Sequence, residues 1–115
     1  PKKDFFEQVT DFVANTLVIS YRAKNHFNYY VFENDSVSDY NYRWWMQKIR
    51  EIIEYAKEQK YIKNVDSEVM SYSIWCFCRG YNADAVGRGV PMHEAIKNFK
   101  YSFAFLLEGL KVQEA

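Results

Sequence analysis

Glycine and proline are scarce in this chain, four and two among 115 residues, and no Asn-Gly or Asp-Gly pair separates alternating hydrophobic runs. That pattern excludes a turn-rich β-sandwich or barrel. Neither sign of charge dominates. Fifteen Lys and Arg face fifteen Asp and Glu, which excludes the broad basic footprint of a self-sufficient nucleic-acid binder. No strictly apolar run exceeds five residues, as in Phe103–Leu107, far short of the roughly 20 residues that span a bilayer. No apolar segment of a signal peptide follows Pro1-Lys2-Lys3-Asp4, so the cytoplasm is the expected location and no membrane contact is expected. The first residue is not Met, and the stretch is expected to belong to a longer protein with further sequence upstream.

Sulfur and histidine are equally sparse. Cys76 and Cys78 are the only cysteines. Two positions apart on a helix, their side chains point about 200° apart and cannot bridge. They read as small buried residues in a reducing environment. A metal site needs more ligands, and His26 and His93 show no ligand spacing. Gly87-Arg88-Gly89 follows no strand and is no phosphate loop. There is no nucleophile elbow, no His-Glu-x-x-His and no EF-hand loop. Ser71 and Ser73 have no histidine nearby, and Asp84 is spaced to pair with Arg88 one helical turn on. Catalysis is not expected, and neither is a cofactor.

What is present is a folded composition, 49% apolar and 26% charged, of a length that makes residues 1–115 one domain. Ten Tyr, nine Phe and three Trp stand against four Leu, so rings must fill much of the core. Such rings either line a roomy cavity of flat side chains or reflect the codon bias of an AT-rich genome, since Asn, Lys and Ile are frequent too.

The apolar spacing is helical throughout. Phe5, Phe6, Val9, Phe12, Val13 and Leu17 predict a first helix from Asp4 to about Tyr21. A short second helix is expected over Asn25–Glu33, with Phe27, Tyr30 and Val31 on one side, then a loop over Asn34–Ser38. Tyr42, Trp45, Met46, Ile49, Ile52, Ile53 and Ala56 form the stripe of a third helix, about Asp39–Lys60, with mixed charge outside. Asn64–Ser67 reads as a break and N-cap before a fourth helix, Ser67 to about Val86, closed by Gly87-Arg88-Gly89. Pro91 at the first helical position opens a fifth, to about Lys111, whose stripe is Ile96, Phe99, Phe103, Leu106, Leu107 and Leu110. The last two helices are apolar nearly all round and need cover on nearly every side. In an all-α, five-helix domain of this size, three other helices cannot supply it. A symmetric homodimer, with these helices forming a four-helix-bundle interface, is the economical solution.

With the helices placed, the order of signals resembles the C-terminal domain of TetR-family transcriptional regulators. Ile49–Ile62 looks like the helix those proteins end with an alanine and a few polar residues. Val65-Asp66-Ser67-Glu68 looks like their next helix start, Arg79-Gly80 matches a small residue late in that helix, and Phe105–Leu110 looks like their closing Leu-rich turn ending in Gly-Leu. The resemblance covers Asn25–Val112. Two departures are Lys60, where the family has glycine, and the family's N-terminal helix-turn-helix, which is not among these residues. The resemblance implies an effector-binding and dimerisation domain of a bacterial regulator. It would bind a small apolar or aromatic molecule and touch DNA only through that further domain. The expected ligand-binding residues are Tyr30, Trp45, Ile49, Tyr72 and Cys76, with His26 at a surface helix start. The expected interface residues are Trp75, Arg79, Phe99, Phe103, Leu106 and Leu110. The alternatives are a stand-alone dimeric helical interaction module, or a small helical carrier or enzyme subunit.

Overall fold

The computed structural model describes residues 3–27 and 39–113. Over these residues the chain is all-α. Helix α1 spans Phe5–Phe27, α2 Asp39–Glu58, α3 Ser67–Gly80 and α4 Met92–Leu110, and a π-helical turn, Tyr81–Ala85, continues α3. The order and stripes follow the expected ones, with differences at the edges. Helix α1 runs six residues past Tyr21 because Arg22, Ala23 and Lys24 are good helix formers and no breaker intervenes. Asn25–Phe27, expected to start a second helix, belong to its end. The remainder of that expected helix and the loop Asn34–Ser38 lie outside the described residues, so four α-helices are described where five were expected. No helix among the described residues is long and apolar enough to cross a membrane.

The core is a stack of two layers. Helix α1 packs on α4, α2 packs on α3, and the π turn touches both α1 and α4. Leu17, Phe99, Phe103 and Val86 are the most deeply buried apolar side chains. Phe99 and Phe103 stack at 5.4 Å, and Phe77 and Tyr81 pack on them at 5.3–5.7 Å. Rings separated by these distances gain geometry-specific attraction beyond area burial.

Several helix ends are capped by side-chain or backbone hydrogen bonds. Asp4 and Asp66 accept from the backbone N–H of Glu7 and Val69, at 2.8 and 3.1 Å, capping α1 and α3. Pro91 is the N-cap of α4 and not its first helical residue. Helix α2 ends in a Schellman motif. Tyr61 N–H bonds Ala56 O at 2.8 Å, Lys60 N–H bonds Lys57 O at 3.0 Å, and Lys60 takes the left-handed φ of 62° that the motif requires. The departure from glycine therefore leaves the turn geometry intact. The same pair of bonds recurs at Gly89, φ 74°, with Val90 N–H on Ala85 O and Gly89 N–H on Val86 O. An isolated antiparallel bridge, Ile62 with Lys111, ties the exits of α2 and α4 together. Asp84 and Arg88 pair at 2.8 Å as their spacing implied. Of the two cysteines, Cys76 is exposed and Cys78 half-buried, so only one fits the buried expectation.

Candidate functional site

A cavity of about 150 Å³ opens between α1, α2 and α3, lined by Val13, Thr16, Ile19 and Ser20 from α1, Asn41, Trp45 and Ile49 from α2, and Trp75, Cys78 and Asn82 from α3 and its π turn. Its walls are mostly apolar and aromatic. Trp45 is braced by Trp44 at 4.8 Å and Phe12 at 5.9 Å, and Trp75 by Tyr42 edge-on at 5.5 Å. Two rings fixed by other rings make a preformed surface.

One corner is polar and tightly connected. Asn82 is 1% exposed and Ser20 4%. Ser20 Oγ lies 2.8 Å from Asn82 Oδ1 and 3.1 Å from the Thr16 carbonyl. Asn82 Nδ2 donates to Thr16 Oγ1 at 3.2 Å and to the Cys78 carbonyl at 2.9 Å, and Thr16 Oγ1 donates to the Val13 carbonyl at 2.7 Å. The bond to Cys78 explains the local backbone. An Asn amide that occupies the carbonyl four residues back competes with the helical ladder, and the helix widens into a π turn at that residue. Such turns are rare and recur at functional sites. Burial pushes the Cys78 thiol up to about 12, so it stays neutral. Among the described residues no cluster of His, Cys, Asp and Glu is able to hold a metal ion.

The residues expected at a ligand site separate. Trp45 and Ile49 lie in the cavity wall. Tyr72 and Cys76 are exposed on the outer side of α3, because they fall on the helix face opposite Ile74 and Cys78. Tyr30 and the side chain of His26 lie outside the described residues. The expected interface residues also divide. Phe99, Phe103 and Leu110 are buried within the chain at 0%, 1% and 7% exposure, so they form core and present no face to a partner. Trp75, equally buried, lines the cavity instead. Leu106 is half-buried and Arg79 exposed. The large apolar side chains that α3 and α4 do expose are Val69 and Tyr72 on α3 and Met92, Tyr101 and Phe105 on α4, the last two edge-to-face at 5.2 Å. A Cβ at Gly80 or Gly109 meets nothing within 4 Å.

Sequence reasoning missed Thr16, Ser20, Cys78 and Asn82. A signal was present: Thr16 and Ser20 recur at i,i+4 beside the buried stripe of α1, and Cys78 and Asn82 do the same on α3. Small polar residues at that spacing on an apolar helix mark an inward polar seam.

Comparison of the chain with protein-family models, with curated proteins and with solved structures returned no match. The TetR resemblance therefore rests on the residues that carry it.

Proposed function

We propose that this chain is an effector-binding and dimerisation domain of a TetR-like transcriptional regulator. The observation that carries this reading is the preformed aromatic cavity with its buried polar corner, set among three elements of a small all-α domain. A pocket of flat apolar walls with a few fixed polar groups suits a small aromatic effector. In this reading DNA contact belongs to a helix-turn-helix domain N-terminal to this stretch. The effector acts by binding one arrangement of the helices better than another, since a ligand shifts an equilibrium only by its differential affinity.

Dimerisation in this reading uses the outer faces of α3 and α4, with Tyr101 and Phe105 near the centre. These side chains are 68% and 66% exposed, an unusual cost for two adjacent rings on a solvated helix. The open space over Gly80 and Gly109 supports close approach of a second copy there.

Light scattering on the purified domain tests the assembly. The expected mass is twice 13.8 kDa, and Phe105→Glu is expected to yield a folded monomer. Titration with a small aromatic probe, followed through the fluorescence of Trp45 and Trp75, tests the cavity. A monomer at every concentration whose tryptophans respond to no probe would overturn the reading.

A further inference from the structure

We propose that the cavity selects a neutral, single-ring aromatic molecule carrying one hydrogen-bond donor, of the phenol or aniline class, with the donor against Ser20 and Thr16. This inference rests on the cavity being an effector site and adds the chemical class of the effector.

Size sets the first limit. The cavity measures about 150 Å³, and an apolar protein cavity of about that volume accommodates a benzene ring. Trp45, Trp75, Val13, Ile19 and Ile49 offer that ring apolar contact on several sides.

Charge sets the second. Among the described lining residues there is no Asp, Glu, Lys, Arg or His. An ionised ligand would give up its hydration with no opposite charge to compensate. Cys78, in the same wall, is held as a neutral thiol by burial, which indicates how this environment treats an anion.

The direction of hydrogen bonding sets the third. The Thr16 hydroxyl proton goes to the Val13 carbonyl, and the single Ser20 hydroxyl proton is shared between Asn82 Oδ1 and the Thr16 carbonyl. The Asn82 amide donates to Thr16 Oγ1 and to the Cys78 carbonyl. The donors of the Thr16–Ser20–Asn82 set are thus committed. A hydroxyl oxygen accepts two hydrogen bonds. Ser20 Oγ receives no donor among these bonds, and Thr16 Oγ1 receives one. The unused capacity is acceptor capacity, on two oxygens one helical turn apart on α1. A ketone or ether finds no spare donor in the Thr16–Ser20–Asn82 set, whereas a phenolic O–H or aromatic N–H finds two acceptors.

Four probes test this by calorimetric titration of the wild-type chain at pH 7: phenol, toluene, anisole and benzoate. Phenol is expected to bind about fivefold to tenfold more tightly than toluene or anisole, the worth of one neutral hydrogen bond, and benzoate is expected not to bind. Thr16→Val, which keeps the side-chain shape, and Ser20→Ala are each expected to shrink the phenol advantage while leaving toluene affinity unchanged. If Ser20→Ala does not fold, Thr16→Val still decides. Toluene or anisole binding as tightly as phenol would overturn the donor selectivity and leave the effector cavity standing. Benzoate binding best would do the same. Binding of none of the four would overturn the inference and the effector reading together.

Discussion

Ser20 and Asn82, 62 residues apart in the chain, meet through a buried 2.8 Å hydrogen bond that joins the middle of α1 to the π turn after α3. Because Asn82 also bonds Thr16 and Cys78, it ties α1 to the end of α3 by a polar network, next to the bond from Lys24 Nζ to the Val86 carbonyl. Asn82→Ala removes the bonds to Ser20, Thr16 and the Cys78 carbonyl and leaves Ser20 without its main acceptor. At about 1 kcal/mol per bond, the expected loss is about 3 kcal/mol. Ser20→Ala is expected to cost about 1–2 kcal/mol. The double variant should fall short of the sum by about 1 kcal/mol, since the shared bond is lost only once. Urea denaturation of the three variants measures the cycle, and strict additivity would show that the pair is not energetically coupled.

Lys60 and Gly89 terminate their helices with the same two backbone bonds and the same left-handed φ, 62° and 74°. Only glycine adopts that conformation without a Cβ penalty of about 1–2 kcal/mol. Lys60→Gly relieves the penalty but adds unfolded-chain entropy of about 0.5–1 kcal/mol. The expected net gain is about 0.5–1 kcal/mol. Gly89→Ala imposes the penalty and is expected to destabilise by about 1 kcal/mol. Thermal unfolding of both variants should show shifts of opposite sign.

These two positions also show what the sequence makes legible. Helix α2 could be read directly because Met46, Ile49, Ile53 and Ala56, all buried, repeat with the helical period and have charge opposite them. The end of α2 was harder. Its usual marker is glycine, and backbone hydrogen bonds impose the same turn on a lysine. The cavity's polar corner was only partly legible: the i,i+4 spacing of Thr16 with Ser20 and of Cys78 with Asn82 marks a polar seam, but the π turn that positions Asn82 shifts the register on which any wheel depends. Of the expected interface residues, Phe99 and Phe103 belong to the most apolar stripe of α4, and that stripe is the one the chain buries against itself. The exposed flank, Tyr101 and Phe105, is distinguished only by what α1 and α3 leave uncovered, which is tertiary information.

Cys76 and Cys78 sit on opposite sides of α3 and should differ sharply in reactivity. Cys76 is exposed, whereas burial raises Cys78 to about 12. The thiolate is the nucleophile, so iodoacetamide at pH 8 is expected to modify Cys76 at least about tenfold faster, as mass spectrometry of peptides will show. The raised value has a signed consequence for stability. Below the ordinary thiol range both states carry the proton and the contribution is intact. Between about pH 9 and about 12 the unfolded chain ionises first, so stability falls as pH rises. Cys78→Ala should lack that part of the alkaline decline.

Gly80 separates the stability of one protomer from the stability of a dimer. It is helical, with φ −56° and ψ −48°, and a Cβ there meets nothing of its own chain within 4 Å. In an isolated protomer Gly80→Ala is therefore expected to stabilise by about 0.5–1 kcal/mol, since alanine loses less entropy on entering a helix. If a second copy packs against α3, the added methyl occupies space that the partner uses, and association weakens while the protomer gains. The expected result is a higher unfolding midpoint in the Phe105→Glu background, together with a larger dimer dissociation constant when Phe105 is retained. Sedimentation across a concentration series reads the second quantity. An unchanged dissociation constant would place the α3 end of the proposed interface away from Gly80 and leave Tyr101 and Phe105 on α4 as its centre.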